Sequence, residues 1–399
     1  MLRDIGGHAI GVASPVFVIA EIGLNHGGSL SRAIELVDAA AEAGASAVKL
    51  QSLYADRLVA PSCPAPAHVK ASSLQDFFST FELDLDAHRA VVERARRRRL
   101  AVMTTTFAED VVPALDQLGF DAYKVASGDI TYLGLISTLA ATGKPLVIST
   151  GMSTLSDVDA ALEAAFARRC NQLAVLHCVS AYPTPPAAEN LLAIRTLADA
   201  FQIPVGLSDH GSGLTSAVAA VALGATIYER HLVMPDDTEA IDAAVSSTPS
   251  ELKAIIQAME HVRLALGSGA KLCQPAEAVN VTASRRGLYA TRSLRAGQRV
   301  SRRDVIALRP ATLVMPFDID ALIGNTLSRD IEAGQPFEPG DLMTASKVRL
   351  KPDTTVEECG VRLKPDTTVE EGEVRLKPDT TVQVQDVVSG FSRTGGTHA

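Results

Sequence analysis

Residues 101–149 read AVMTTTFAEDVVPALDQLGFDAYKVASGDITYLGLISTLAATGKPLVIS. Three short apolar runs stand out: 101–105 (AVMTT), 121–125 (DAYKV) and 145–149 (PLVIS), with helical patterns between them. Short apolar runs bounded by turn signals mark strands buried on both faces, and strands that alternate with helices pair in parallel. Working outward, the rhythm holds from residue 16 to about 266. The runs 17–22 (FVIAEI) and 46–51 (SAVKLQ) come before, and 173–178 (LAVLHC), 203–207 (IPVGL) and 225–231 (ATIYERH) come after. Helical patterns such as Ser31–Ala43, Leu85–Arg99 and Ser250–Leu266 separate them. Eight such units in about 250 residues predict an α/β fold, a (β/α)8 TIM barrel. A doubly wound open sheet is the competing architecture, and it has no reason to stop at eight. The connection from Leu53 to about Leu83 is long for a βα loop and predicts a lid or wall over the barrel mouth.

The texture changes at 267–287. Short strand-like pieces and turn signals then fill 288–342 (LYATRSLRAGQRVSRRDVIALRP, IGNTLSRDIEAGQPFEPGDL), which predicts a small β-rich domain. The tail repeats VRLKPDTTV at 348–356, 361–369 and 374–382. Units so short and so rich in charge, Thr and Pro cannot bury a useful core, so the tail is expected to be disordered and dispensable. The boundaries are therefore 10–275 for the barrel, 284–345 for the small domain and 346–399 for the tail.

The net charge of −9 over 399 residues speaks against a nucleic-acid footprint, while a few lysines in a cleft can still set a local field for anions. No apolar run approaches a membrane span, and Met1 to Ser14 carries no basic leader with an apolar stretch, so the expected location is cytoplasmic, without a membrane partner. Cys63, Cys170, Cys178, Cys273 and Cys359 show no zinc-ligand spacing and read as buried or incidental thiols.

Catalytic residues of such barrels gather at the C-terminal ends of the strands. There this chain places Glu21, then Lys49 and Gln51 two apart on one side of a strand, Thr104 to Thr106, Lys124 and Ser127, Ser149, Ser180 and Tyr182, Ser208 and His210, and Glu229 and His231. Each alone has a bland reading: a snorkelling lysine, a turn serine, a hydrogen-bonded core histidine. Together they are harder to dismiss. A lysine pointing into a barrel needs an anion, and two suggest phosphate plus carboxylate. Hydroxyls on neighbouring strands add neutral donors, and two histidines on adjacent strands can share a divalent metal. These features specify a barrel enzyme that handles a small polyanion beside a metal, and not yet a reaction.

FVIAEIGLNHGGS, AVKLQ, YKVASGD, ISTGMST, HCVSAYPTP, GLSDH and ERH occur in this order. Together they resemble the N-acetylneuraminate (sialic acid) synthase family, which includes related nonulosonic acid synthases, over about residues 10–342. Segment 284–345, with its ALRPA stretch, resembles that family's C-terminal antifreeze-protein-like (SAF) domain. The resemblance implies a transferase that condenses phosphoenolpyruvate with an N-acetylated hexosamine aldehyde, N-acetylmannosamine or a diacetamido hexose, giving a nine-carbon 2-keto sugar acid and phosphate.

It implies that Lys49, Thr105, Lys124, Ser127, Ser149 and Ser208 hold phosphoenolpyruvate. It also implies that His210 and His231 bind Mn2+ (with Mg2+ or Co2+ as substitutes), and that Glu21 stands near the reacting centre. Tyr182 and Asp242 fall on the sugar side, and Gln51, Asp129 and Ser180 complete the substrate set. Arg309 matches an arginine that reaches from one subunit's small domain into its partner's barrel, which implies a domain-swapped homodimer. Four features depart from the family pattern: Ser180 for asparagine, Thr104-Thr105-Thr106 for Ser-Thr-Pro, Asp129 for glutamate, and the loop LVMPDDTEAIDAAVSSTP after His231. The rival readings are a phosphoenolpyruvate synthase acting on a sugar phosphate and a non-catalytic sugar-binding barrel.

Overall fold

The computed structural model describes residues 2–65 and 71–343; the repeat tail lies outside the described residues. The chain divides into two compact units after Gly269. The first is a closed barrel of eight parallel strands: β1 Phe17–Gly23, β2 Ala47–Ser52, β3 Ala101–Thr106, β4 Ala122–Val125, β5 Leu146–Ser149, β6 Leu173–Cys178, β7 Val205–Asp209 and β8 Ile227–Leu232. β8 pairs with both β7 and β1, which closes the ring and excludes the open sheet. Among the described residues, no helix is long and apolar enough to cross a membrane.

Side chains alternate along each strand with period two, which sorts them into an outer and an inner set. The outer set, for example Val18, Ala20 and Ile22 of β1 or Val48 and Leu50 of β2, packs against the surrounding helices in one large core. The helices are set by local chemistry. Ser29 caps Leu30–Ala43 and Asp84 caps Leu85–Arg97, while Thr154 with Asp157 and Thr248 with Glu251 form capping boxes for Leu155–Phe166 and Pro249–Leu266.

The inner set begins apolar. Phe17, Ile19, Ala47, Ala101, Met103, Ala122, Val147, Ala174, Leu176 and Ile227 form a second, smaller core inside the ring. An N-terminal hairpin, Asp4–Ile5 with His8–Ala9, adds Leu2, Ile5 and Ile10 to this cluster. The barrel unit thus starts before residue 10; strands of two residues leave no periodic trace in the sequence. Burying this inner layer leaves only the upper end of the barrel for polar groups.

The long β2 connection contains two short helices, Ala55–Leu58 and Leu74–Ser79. The second unit has its own core, built on Leu288, Leu294, Val305, Leu327, Ile331 and Phe337. Gly287–Ala290 pairs antiparallel with Val305–Leu308 there, and isolated bridges link Tyr289 to Pro336 and Leu294 to Ile331. A helix at Ala278–Ser284 lies in the stretch read as linker, so this unit begins earlier than residue 284.

Candidate active site

Above the apolar inner layer six of the eight strands turn polar two residues on, on the same face. Glu21 follows Ile19, Lys49 follows Ala47, Thr105 follows Met103, Lys124 follows Ala122, Ser149 follows Val147, and Glu229 then His231 follow Ile227. Together with Gln51, Ser127, Ser180, Tyr182, Ser208 and His210 they line one cavity of about 320 Å³. Most of the residues expected from the sequence therefore converge. Asp129 does not reach the lining; it ends the short 3-10 turn Ser127–Asp129, where burial pushes its carboxyl up to about 6. Arg309 lies in the second unit, exposed, with Tyr289 Oη donating to the carbonyl of the next residue, Pro310, at 2.9 Å.

Two buried lysines dominate the floor. Lys49 ion-pairs with Glu21 and donates to Thr105 Oγ1 at 3.0 Å. Lys124 donates to Ser149 Oγ at 2.6 Å. Between them stands Glu229, 3.9 Å from Lys49 Nζ and 3.5 Å from Lys124 Nζ, accepting from Ser208 Oγ at 2.9 Å. Burial strips hydration from Lys49 and lowers it to about 8; Glu229 opposes the shift and Lys124 adds to it. Burial would raise Glu229, but Lys124 and Lys49 overcome it and hold the carboxyl at about 2. Glu229 Oε2 and Glu21 Oε1 accept no hydrogen bond. Carboxylates thus occupy the place among the lysines and hydroxyls where a bound anion's charge would otherwise sit. The sequence alone left Glu229 open between orienting a ligand and a structural ion pair; its position two residues before His231 on one face was the available signal.

The other wall carries the imidazoles. The rings of His210 and His231 lie 5.6 Å apart, and Tyr182 stacks on His210 at 4.1 Å. His210 Nδ1 lies 3.1 Å from the Val179 carbonyl, so Nδ1 carries the proton and Nε2 keeps its lone pair. Burial opposes protonation of His210, but contacts with Cys178 and Val179 outweigh it and raise its pKa. Burial, reinforced by His210 and Lys49, holds His231 well below its ordinary value, and its Nδ1 makes no hydrogen bond. A neutral imidazole with an orphaned nitrogen beside a second imidazole with a free lone pair suits a divalent cation. Among the described residues no cluster of three or more His, Cys, Asp or Glu could hold a metal by itself. The fit is therefore to an ion that completes its shell with water and substrate oxygens.

The sugar-side expectation rests on Asp242, whose Oδ2 lies 3.4 Å from His231 Nδ1 and whose carboxyl is raised by burial. Asn25 fixes the loop that carries it. Asn25 Nδ2 donates to Leu232 O and Ser246 Oγ, both at 2.9 Å, and Asn25 Oδ1 accepts from Asp242 N at 3.1 Å. Gly23, at φ +42°, lies where a Cβ would meet Glu21 Oε1 at 3.1 Å, Gln51 Nε2 at 3.2 Å and Asp242 Oδ2 at 3.5 Å. A side chain there would fill the space these three share. Gly151 has the same role across the mouth, where a Cβ would lie 2.4 Å from Ser180 Oγ and 2.7 Å from Ser127 Oγ.

Sequence reasoning missed the scaffold behind the histidines. Arg230, on the outer face of β8, donates to the Gly211 carbonyl at 2.7 Å and to Ser247 Oγ at 3.0 Å. It also lies 3.6 Å from Asp209, which accepts from Tyr228 Oη at 2.8 Å. One buried guanidinium thus ties the chain on either side of His210 to the strand of His231 and to the end of the Asp242 loop. Cys178, read as incidental, lines the cavity with its Sγ 3.8 Å from His210 Nδ1. Phe107 and Met152 also line it, without a sequence signal.

Comparison with known proteins agrees with this geometry. Residues 36–271 match the NeuB family and residues 285–343 match the SAF domain. An N,N'-diacetyllegionaminic acid synthase of Legionella pneumophila is 36% identical over 81% of this chain and 94% of its own length. An N-acetylneuraminate-9-phosphate synthase of Homo sapiens is 31% identical over 68% of this chain and 77% of its own. The crystal structure of N-acetylneuraminic acid synthetase from Leptospira borgpetersenii, in complex with citrate, superposes with a TM-score of 0.63 at 30% identity, covering 70% of this chain and 94% of that one.

Proposed function

The chain belongs to the NeuB family, and we propose that it condenses phosphoenolpyruvate with an N-acylated hexosamine aldehyde to a nine-carbon 2-keto sugar acid and phosphate. The observation that carries this reading is the pair of buried lysines, Lys49 and Lys124, beside Thr105, Ser149 and Ser208 and facing two imidazoles across one cavity. Those lysines and hydroxyls suit the carboxylate and phosphate of phosphoenolpyruvate, with Ser127 at the loop edge.

In the reaction, C3 of phosphoenolpyruvate attacks the aldehyde carbon and its carbonyl oxygen takes up a proton. Positive charge develops at C2, water adds there and loses a proton, and the tetrahedral intermediate breaks its C2–O bond to the phosphate, the C2 hydroxyl becoming the keto group as its proton passes to the departing phosphate. Lys49 and Lys124 stabilise the charge on the leaving phosphate. Glu21, with an oxygen that accepts no hydrogen bond, would orient the water and take its proton. Tyr182, Gln51, Ser180 and Asp242 hold the sugar, and Asp129 acts only through the turn that presents Ser127.

His210 and His231 would hold a divalent cation, Mn2+ by preference. Such an ion supplies Lewis-acid polarisation of the aldehyde. Mn2+ binding followed by electron paramagnetic resonance should be strong in the parent and lost in His210→Ala; equal binding by both removes the assignment. Assembly as a two-fold homodimer, with each small domain over the partner's barrel mouth and Arg309 reaching the sugar, is part of the same proposal. Mixing Arg309→Ala with Lys124→Ala chains should then restore part of the activity, because one site of each heterodimer carries neither defect. The use of phosphoenolpyruvate points to the cytoplasm.

The deciding experiment is phosphate release from phosphoenolpyruvate with a panel of acylated hexosamines, with and without chelator. Release that needs an acylated sugar and a metal supports the proposal. Activity with sugar phosphates alone would replace it with the sugar-phosphate reading, and binding without turnover with the non-catalytic one.

A further inference from the structure

The long β2 connection does not reach the reacting groups: no described residue of 53–83 lines the active-site cavity. It borders instead a separate cavity of about 820 Å³ between the β1, β2 and β8 loops, to which it contributes Phe77, Phe78 and Phe81. The β1 and β2 loops close on one another at Gly28. This glycine, at φ +76°, stands so near the Thr80 carbonyl that a Cβ would run into its oxygen. Thr80 is the C-terminal cap of the helix Leu74–Ser79, and beside it Phe77 packs on Phe81 at 5.1 Å between centroids.

His26 holds Gly28 in that place. Its imidazole is 1% exposed. Nδ1 accepts from the Gly28 N–H at 3.0 Å, so the proton sits on Nε2, which is buried and makes no hydrogen bond among the described residues. Burial, with His88 adding and the Gly23 carbonyl opposing, lowers its pKa to about 4, which keeps the ring neutral near pH 7 and Nδ1 free to accept. A buried imidazole with one idle nitrogen is a poorer filler than an apolar side chain of its size. The nitrogen that is used therefore accounts for the residue. One position earlier, Asn25 binds the end of β8 and the Asp242 amide through the contacts given above. Backbone bonds from Asn25 N to Ile22 O and from Gly27 N to Leu24 O, both 3.0 Å, and from Ser29 N to His26 O at 2.9 Å, wind 22–29 into successive tight turns. A shift at Gly28 is thus passed on to Asn25.

We infer that His26 is a positioning residue for the sugar side of the site. It fixes the turn that carries Asn25, and through that turn the long β2 connection sets where Asp242 stands without touching substrate. The inference rests on the condensation proposed above, which puts the acceptor at Asp242.

The test compares His26→Leu, which removes the accepting nitrogen, with His26→Asn, whose amide oxygen can take its place. Amide hydrogen exchange at Asp242, whose N–H donates to Asn25, is followed by mass spectrometry of the peptide that carries it. It should quicken about tenfold in the leucine variant and little in the asparagine one. In the leucine variant the KM of the acceptor should rise about five- to tenfold, as for one lost hydrogen bond, with the KM of phosphoenolpyruvate unchanged. His26→Asn should recover both readings. Gly28→Ala leaves the imidazole in place and breaks the contact with Thr80; it should reproduce the leucine effect, and it serves instead should His26→Leu fail to fold. Unchanged exchange at Asp242, a joint rise of both KM values, or no recovery in His26→Asn overturns the inference and leaves the condensation standing. If the parent condenses no acylated sugar, the condensation itself falls, and the exchange rates alone still decide what His26 holds.

Discussion

Glu229→Gln should move the alkaline limit of phosphoenolpyruvate use to lower pH. Lys49 is held at about 8 instead of 10.5. Only its protonated form attracts an anion. In the parent, kcat/KM for phosphoenolpyruvate should therefore be flat below pH 8 and fall towards tenfold per unit above it. The amide keeps an oxygen for Ser208, now 2.9 Å from the carboxylate, and deletes a negative charge 3.9 Å from Lys49 Nζ. At an effective dielectric of about 20, a charge 3.9 Å away is worth about 4 kcal/mol, or about three pKa units, as an upper bound. Glu21, which also pairs with Lys49, and water in the mouth reduce this to on the order of one unit. The limb should thus move from about 8 to about 7, measured from pH–rate profiles at saturating acceptor and metal.

Stability gives an independent check with its own sign. Because the folded pKa of Lys49 lies below the unfolded one, the unfolded chain binds the extra proton between about 8 and 10.5, and stability rises with pH across that window. Below it the buried ammonium costs on the order of 3 kcal/mol, which a bound anion relieves. The rise in Tm caused by saturating phosphoenolpyruvate should therefore be larger at about pH 7 than above pH 10, where Lys49 is neutral in the folded state and offers the anion no charge. A limb that stays put or moves upward in Glu229→Gln, together with a pH-independent Tm rise in the parent, would refute the assignment of this titration to Lys49.

Three further outcomes follow from the same geometry. Lys124→Ala should weaken phosphoenolpyruvate by 2–5 kcal/mol, about 30- to 4,000-fold, with far less effect on the KM of the sugar; equal effects on both would place Lys124 elsewhere. Arg230→Met should weaken Mn2+ binding about 10- to 100-fold by loosening the His210 and His231 backbones, read by electron paramagnetic resonance in protein shown by circular dichroism to be folded. Gly151→Ala should lower kcat/KM, because its methyl would lie 2.4 Å from Ser180 Oγ and 2.7 Å from Ser127 Oγ; unchanged kinetics would show that both serines yield freely.

The barrel strands were legible to within two residues at almost every end, as with 17–22 against Phe17–Gly23 and 203–207 against Val205–Asp209. Strands buried on both faces must be apolar throughout, and that leaves a plain trace. The parts that escaped depend on distance along the chain. Asn25 holds Asp242 from 217 residues away, and nothing local marks either member of the pair. The cavity above the phenylalanines needs the β1, β2 and β8 loops together, so composition alone shows only a long connection. The repeat tail was read from composition and lies outside the described residues.

Parity along the strand separates chemistry from scaffold more sharply than residue type does. Thr104 and Thr105 are neighbours with the same side chain at the same strand end. Thr105 faces inward and accepts from Lys49, whereas Thr104 faces outward and bonds Ser52 Oγ at 2.7 Å, which bonds His88 on an outer helix. The same rule divides Ser208 and His210 from Asp209, and Glu229 and His231 from Arg230. An inward polar residue must meet another inward polar residue or a ligand, since the barrel offers it no water from below. An outward one must find a partner under the helices, and Arg230 finds loop carbonyls, Ser247 and the Asp209 carboxylate. Counting in twos from Ile227 reaches Glu229 as directly as counting from Ala47 reaches Lys49. Glu229 therefore shares the inward face with the two lysines it pairs, and in the proposed reaction it tunes them as anion ligands.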